Sequence, residues 1–364
     1  MIDAMRQPAR FPRRTRITCT PQAYSILVGQ YALDMRAALY RQTGPAEVLN
    51  VEDLELPDPD PGEVRVRLHV SGVNPADAKR RGGWARITLD LPYLVPHDDG
   101  AGVVDAIGAV EDEHLIGRRV WVYDARVGRQ HGTAAEWVTV PRYRVELLPD
   151  HVDFATGASL GAPARTAHRC LFSDGPIDGA AVLVAGAAGS VGHSAVQQAR
   201  AAGAALVIGT VGRPEHHDVA KAAGCGVVLD YRGNELVDTI LDLTEGRGVD
   251  RIVEVDLAAN MDLDCRVGGL NSTISVYGTD TNHKPEVPLW RLLNHSVNLR
   301  NILLYNLPYD EHRQAADDIT RWVGDGALTP RIGARFSLDE IVSSHRAIEN
   351  RASDGNVVID LPLA

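Results

Sequence analysis

What the chain has little of narrows it first. Its 364 residues include four cysteines, Cys19, Cys170, Cys225 and Cys265, with no C-x-x-C among them. Thiols so scattered write neither a zinc site nor a disulfide framework, and they fit a reducing, cytoplasmic compartment. No apolar run approaches the 18 residues of a membrane-spanning helix, the longest near the N-terminus being the interrupted SILVGQYAL. Basic excess is missing too. A formal charge of −11 argues against a nucleic-acid surface and supplies no polybasic patch for a membrane. A small soluble substrate suits it better. What is present is an ordinary 45% hydrophobic content over a length sufficient for two domains.

Residues 1–34 differ from the rest. Arg6, Arg10, Arg13, Arg14 and Arg16 face only Asp3 and Asp34, a local +3 that leaves −14 elsewhere. This is the pattern of a transit peptide, of a disordered basic extension or of an upstream start, and we favour the last two because Met35 directly precedes the first convincing strand, RAALY. From there short strands follow one another: EVRVRLHVSG with period-two alternation of Val64, Val66, Leu68 and Val70, then AGVVDAIGAV, RRVWVY and AAEWVTV. Residues 35–157 therefore read as an all-β, barrel-like domain. From about residue 158 to 300 continuous apolar strands (AVLVAG, ALVIGT, GVVLDY, DRIVEV, STISVYG) alternate with helices near 190–202, 214–223 and 234–244. That rhythm predicts a parallel sheet covered on both faces, a doubly wound Rossmann-type α/β domain. Residues 301–364 carry two helices (311–323 and 338–350) and two strands (331–336 and NVVIDL), which either extend that sheet or return to the first domain.

The densest signal is AVLVAGAAGSVG, an apolar strand running into a glycine-rich turn that opens a helix. Gly186, Gly189 and Gly192 recur every three residues, so the backbone can turn sharply and approach a pyrophosphate, with Ala187, Ser190 and Val191 completing the loop. The spacing is G-x-x-G-x-x-G rather than the commoner G-x-G-x-x-G. The next strand ends at Thr210 without the acid that holds the ribose hydroxyls of NAD. In its place come Arg213 and His216. A guanidinium grips a 2′-phosphate that a carboxylate would repel, so the cofactor expected is NADPH.

The order of these motifs, with SGVNPADAKRRG, PHDDGAGVVDAIG, GAPARTAHRCL and the closing SHRAIENRASDGNVVIDL, resembles the medium-chain dehydrogenase/reductase superfamily in its zinc-independent quinone oxidoreductase branch. The resemblance implies a GroES-like catalytic domain, a Rossmann domain, a C-terminal segment folding back onto the first domain, a cleft between the two, and a homodimer joined through the Rossmann sheet edge. In zinc-using relatives a cysteine stands at Asn74 and a His-Glu pair at Asp98 and Asp99; here the resemblance implies no metal. It also places Asn74, Asp77 and Lys79 in the catalytic pocket. Related quinone reductases have tyrosine at position 79, which puts the preference for quinones in question. Thr166, Tyr231, Tyr277, Gly278 and Arg351 match family positions that touch the cofactor.

The expected activity is hydride transfer from NADPH to a quinone or related conjugated carbonyl. Without a metal, charge developing on the acceptor oxygen must be delocalised and met by a hydrogen-bond donor. Alternatives are an enal or enone double-bond reductase and a nucleotide-binding protein with little turnover. Ser190 is not a hydrolase nucleophile, because AGSVG lacks the glycine two residues before the serine.

Overall fold

The structure, a computed structural model, describes residues 34–84 and 89–362. The basic extension expected over residues 1–34, and Cys19 with it, lies outside the described residues except for Asp34.

Seven strands come first: β1 (Asp34–Leu39), β2 (Asn50–Glu55), β3 (Glu63–Val73), β4 (Asp99–Ile107), β5 (Arg119–Val122), β6 (Trp137–Pro141) and β7 (Val145–Leu147). In β3, alternate residues Val64, Val66, Leu68 and Val70 are buried, as the period-two pattern requires. Antiparallel pairing of β3 with both β4 and β6 curls the sheet around a core that includes Leu39, Val66, Val104, Val120 and Val138. Each such fully buried aliphatic side chain contributes roughly 1.5–3 kcal/mol. The domain is not wholly β, since β3 runs into a short helix, Pro75–Arg81, that carries the expected pocket residues.

The second sheet holds β8 (Ala181–Val184), β9 (Leu206–Val211), β10 (Val227–Asp230), β11 (Val249–Glu254), β12 (Gly268–Val276) and β13 (Asn298–Asn301). All its pairings are parallel and the order is β10-β9-β8-β11-β12-β13, the doubly wound arrangement. Apolar clusters cover both faces, which is why these strands read as unbroken hydrophobic runs. The three anticipated helices are present as Ser190–Ala201, Glu215–Ala223 and Leu236–Leu243. A further helix, Leu257–Val267, and the edge strand β13 were not anticipated.

The last segment resolves the open choice about the C-terminus. Strand β15 (Asn356–Asp360) pairs antiparallel with β3 of the first domain and parallel with β14 (Ile332–Ser337). Between the sheets, helix Tyr309–Gly324 lays Ala315, Ala316, Ile319 and Trp322 against Trp121, Leu160 and Val358. Trp121 Nε1 also donates to Thr320 Oγ1 at 3.2 Å, a polar bond between β5 and that helix.

Candidate active site

The cradle forms where strand order reverses between β8 and β11, the position at which open α/β sheets bind ligands. Gly186 adopts φ +67°, in the left-handed region that favours glycine. A Cβ on Gly192 would collide with the Gly186 carbonyl, so helix Ser190–Ala201 starts pressed against the turn. The Gly189 amide closes the turn onto the Gly186 carbonyl at 2.9 Å. Ala187 donates its amide to the Thr210 carbonyl at 3.0 Å, binding the turn to β9 and removing that N–H from any ligand. Ser190, Val191 and Gly192, in the first turn of the helix, are left with amides that have no intrahelical acceptor. Those amides and the helix dipole make the site suited to a pyrophosphate.

The other residues expected to touch a nucleotide stand at the ends of the neighbouring strands and on helix Arg165–Phe172. Tyr231 follows β10 and lies over Gly212, where a Cβ would strike its ring. Arg213 lies just before helix Glu215–Ala223 and His216 in its first turn, and both bond Asp354, at 2.7 and 2.9 Å. Tyr277 and Gly278 follow β12: the Tyr277 amide donates to the Glu254 carbonyl at 3.1 Å, and Gly278 approaches the Val255 carbonyl too closely for a side chain. Thr166 lies in the first turn of helix Arg165–Phe172, which packs on the cradle helix; Gln198 from that helix donates to the Ala164 carbonyl at 2.8 Å.

In the first domain, Asn74 caps helix Pro75–Arg81 with its side chain buried. Its Nδ2 donates to Asp99 Oδ2 at 2.7 Å. Asp77 turns inward and accepts the Asn74 amide N–H at 2.9 Å, and burial, with the Asp98 charge nearby, pushes its carboxyl up to about 7. Lys79 points the other way. Its Nζ meets Asp280 Oδ1 at 2.7 Å while Arg351 Nη2 meets Asp280 Oδ2 at 3.1 Å. Asp280 was not singled out from sequence, yet it joins the first domain, the loop after β12 and the C-terminal loop at one carboxylate. The neighbouring cations, Lys79 above all, hold it below the usual carboxylate range.

The three positions where zinc-using relatives carry ligands do not form a set of free electron pairs. Asn74 presents an N–H to Asp99, and Asp99 Oδ2 takes the Ala162 amide as well, at 2.8 Å. Asp98 accepts from the Arg126 amide at 3.1 Å, from the Tyr305 hydroxyl at 3.1 Å and from Arg80 at 3.3 Å. A cation brought to this carboxylate would meet the Arg80 guanidinium. His97, adjacent in sequence, is turned away with φ +76° and is engaged by Ser71 at 2.9 Å and His345 at 3.0 Å. Among the described residues no group of three His, Cys, Asp or Glu is placed to hold a metal. These residues do not fit a zinc ion.

A glycine-rich turn at the switch point of a doubly wound sheet, joined to a barrel whose sheet the C-terminus completes, is the architecture of a two-domain nucleotide-dependent oxidoreductase. Comparison with known proteins agrees. Residues 60–150 match the alcohol dehydrogenase GroES-like domain and residues 190–321 the zinc-binding dehydrogenase family. Human quinone oxidoreductase is 30% identical over 326 residues, covering 86% of this chain and 94% of its own. A mycobacterial quinone oxidoreductase structure superposes with a TM-score of 0.79 at 29% identity, covering 90% of this chain and 99% of that one. A mycobacterial structure complexed with NADPH gives 0.78 at the same identity and coverage. The chain belongs to the medium-chain dehydrogenase/reductase superfamily, in its quinone oxidoreductase branch.

Proposed function

We propose that this protein reduces a quinone or related conjugated carbonyl with NADPH and without a metal. The observation that carries the reading is the glycine cradle, too tight for a side chain at Gly192, in a chain whose Asn74 carboxamide acts as donor rather than ligand. The NADPH complex of the mycobacterial relative supports the choice of nucleotide, and the name of the human relative supports the acceptor class.

In this reading the free amides of Ser190, Val191 and Gly192 take the pyrophosphate, and Arg213 with His216 takes the 2′-phosphate. Tyr231, Thr210, Thr166, Tyr277, Gly278 and Arg351 line the remainder of the nucleotide. Bound NADPH supplies hydride from the nicotinamide C4. Asn74 has two N–H bonds on Nδ2; Asp99 orients the group through one, and the other is left for the acceptor carbonyl, where it stabilises the developing oxyanion. Asp77 fixes the start of that helix, and Lys79 sets the cleft-side charge. Water supplies the proton that completes reduction.

Following NADPH oxidation against a panel of quinones and enones, with and without prior chelation, tests this. Turnover unaffected by the chelator supports it; turnover with no acceptor in the panel, or turnover restored only by zinc, overturns it. A second reading, reduction of an acyclic enal or enone, is favoured by Lys79, which replaces a flat ring with a charge paired to Asp280. We also propose a cytoplasmic homodimer. Among the described residues no helix is long and apolar enough to cross a membrane. Strand β13 closes one edge of its sheet, and the helix before it exposes Leu289, Trp290 and Leu293.

A further inference from the structure

We propose that Asp354 is a second determinant of nucleotide selectivity, supplying from the C-terminal loop the ribose-binding carboxylate that the end of β9 lacks and opposing the 2′-phosphate. The inference rests on the assignment of Arg213 and His216 to the adenosine ribose, and it changes what that pair implies.

Strand β9 ends in Thr210 and Val211, neither acidic, which by itself favours a phosphorylated nucleotide. The fold then brings an acid to the same place from 141 residues away. Arg213 Nη2 and His216 Nε2 both converge on Asp354 Oδ1, at 2.7 and 2.9 Å. Two donors chosen for an anion already hold one. The His216 hydrogen bond and the Arg213 charge keep the carboxyl below its ordinary range, so it is ionised at neutral pH.

Asp354 is not on a loose tail. On one side the Ala352 amide returns to the Ala347 carbonyl at 2.9 Å, closing the end of helix Ile341–Glu349. On the other, the Asn356 amide and Nδ2 both donate to the Arg331 carbonyl, at 2.8 and 3.0 Å. Gly355, at φ +133°, and Gly333 let the two backbones approach where side chains would collide. The carboxylate is therefore presented by an anchored turn. Against a 2′-hydroxyl it is an acceptor; against a 2′-phosphate it is a like charge sharing the same two donors. The chain thus accepts both NADH and NADPH, with Asp354 drawing the balance toward the unphosphorylated form and Arg213 drawing it the other way.

The test is equilibrium binding of NADPH, NADH and adenosine 2′,5′-bisphosphate to the full chain, by calorimetry, for wild type, Asp354→Asn, Asp354→Ser and Arg213→Ala. Removing the Asp354 charge should raise the NADPH-over-NADH affinity ratio by about two- to fivefold, the change expected for relief of one partly exposed charge contact. The bisphosphate should tighten in parallel. An unchanged or lowered ratio in the folded Asn or Ser variant overturns the proposal. Arg213→Ala separates the two levels: if it lowers NADPH selectively while the Asp354 variants change nothing, only the role of Asp354 fails; if it too changes nothing, the ribose assignment fails with it.

Discussion

Asn74 Nδ2 and Ala162 N both donate to a single oxygen of Asp99, at 2.7 and 2.8 Å. One carboxyl thus holds the start of the pocket helix against the turn that leads into helix Arg165–Phe172. Asp99 Oδ1 is buried without a partner among the described residues, and burial raises this carboxyl well above its ordinary range. Replacing Asn74 by Ala should lower kcat by about 100- to 1,000-fold, the loss expected for one oxyanion donor, and leave the NADPH dissociation constant within about twofold. Steady-state kinetics and direct nucleotide titration would check this, and an unaltered kcat would remove Asn74 from the chemistry.

Gly192→Ala should be costly even though it adds one methyl. The new Cβ falls on the Gly186 carbonyl, backbone that cannot rotate away. Pushing the helix off the turn is expected to destabilise the fold by about 1–3 kcal/mol and to weaken nucleotide binding at the same time. Thermal unfolding with and without NADPH separates the two effects: the stabilisation by ligand should shrink more than the unliganded Tm falls.

The Arg213→Ala variant should lose roughly tenfold in NADPH affinity, as expected for one charge-assisted phosphate contact, with NADH much less affected. Titration of both nucleotides gives the ratio directly.

How much of this could be read in advance depended on whether the deciding contact was local. The Rossmann strands were legible because both faces of β8 and β11 are buried, which leaves unbroken apolar runs. Helix Leu257–Val267 was not, because the buried Asp264 interrupts its apolar face. Strand β13, with the sequence NLRN, carries too little apolar character at a sheet edge to announce itself. The strand Asn356–Asp360 was visible, but whether it extends the second sheet or joins β3 is a property of packing between domains. In the site, Asn74 is expected in the pocket through the resemblance alone, and its place as the cap of helix Pro75–Arg81 follows from the fold. Asp280 and Asp354 carried no local mark at all. Each matters through partners that are 71 to 201 residues distant in the chain.

The pH dependence of stability should show one buried acid clearly. Asp264 is fully buried, and burial together with the neighbouring Glu254 raises its carboxyl well above the ordinary value. The folded protein therefore holds this proton where the unfolded chain, with a value near ~3.9, releases it. Stability must then fall as pH climbs from that unfolded value through the raised folded one. Asp264→Asn should be more stable than wild type at neutral and alkaline pH and should lose that advantage toward about pH 4. Urea unfolding across the range measures it, and parallel curves for the two proteins would contradict the assignment.

Because β15 lies between β14 and β3, the first sheet is assembled from residues nearly 300 positions apart, and the Rossmann unit is in effect an insertion within the barrel. On a ribosome, the inserted unit has all its strands before the host does. The N-terminal domain must wait with an unpaired edge on β3 until residues 356–360 emerge, so the order in which the two lobes become protease-resistant during synthesis should be the reverse of their order in the gene.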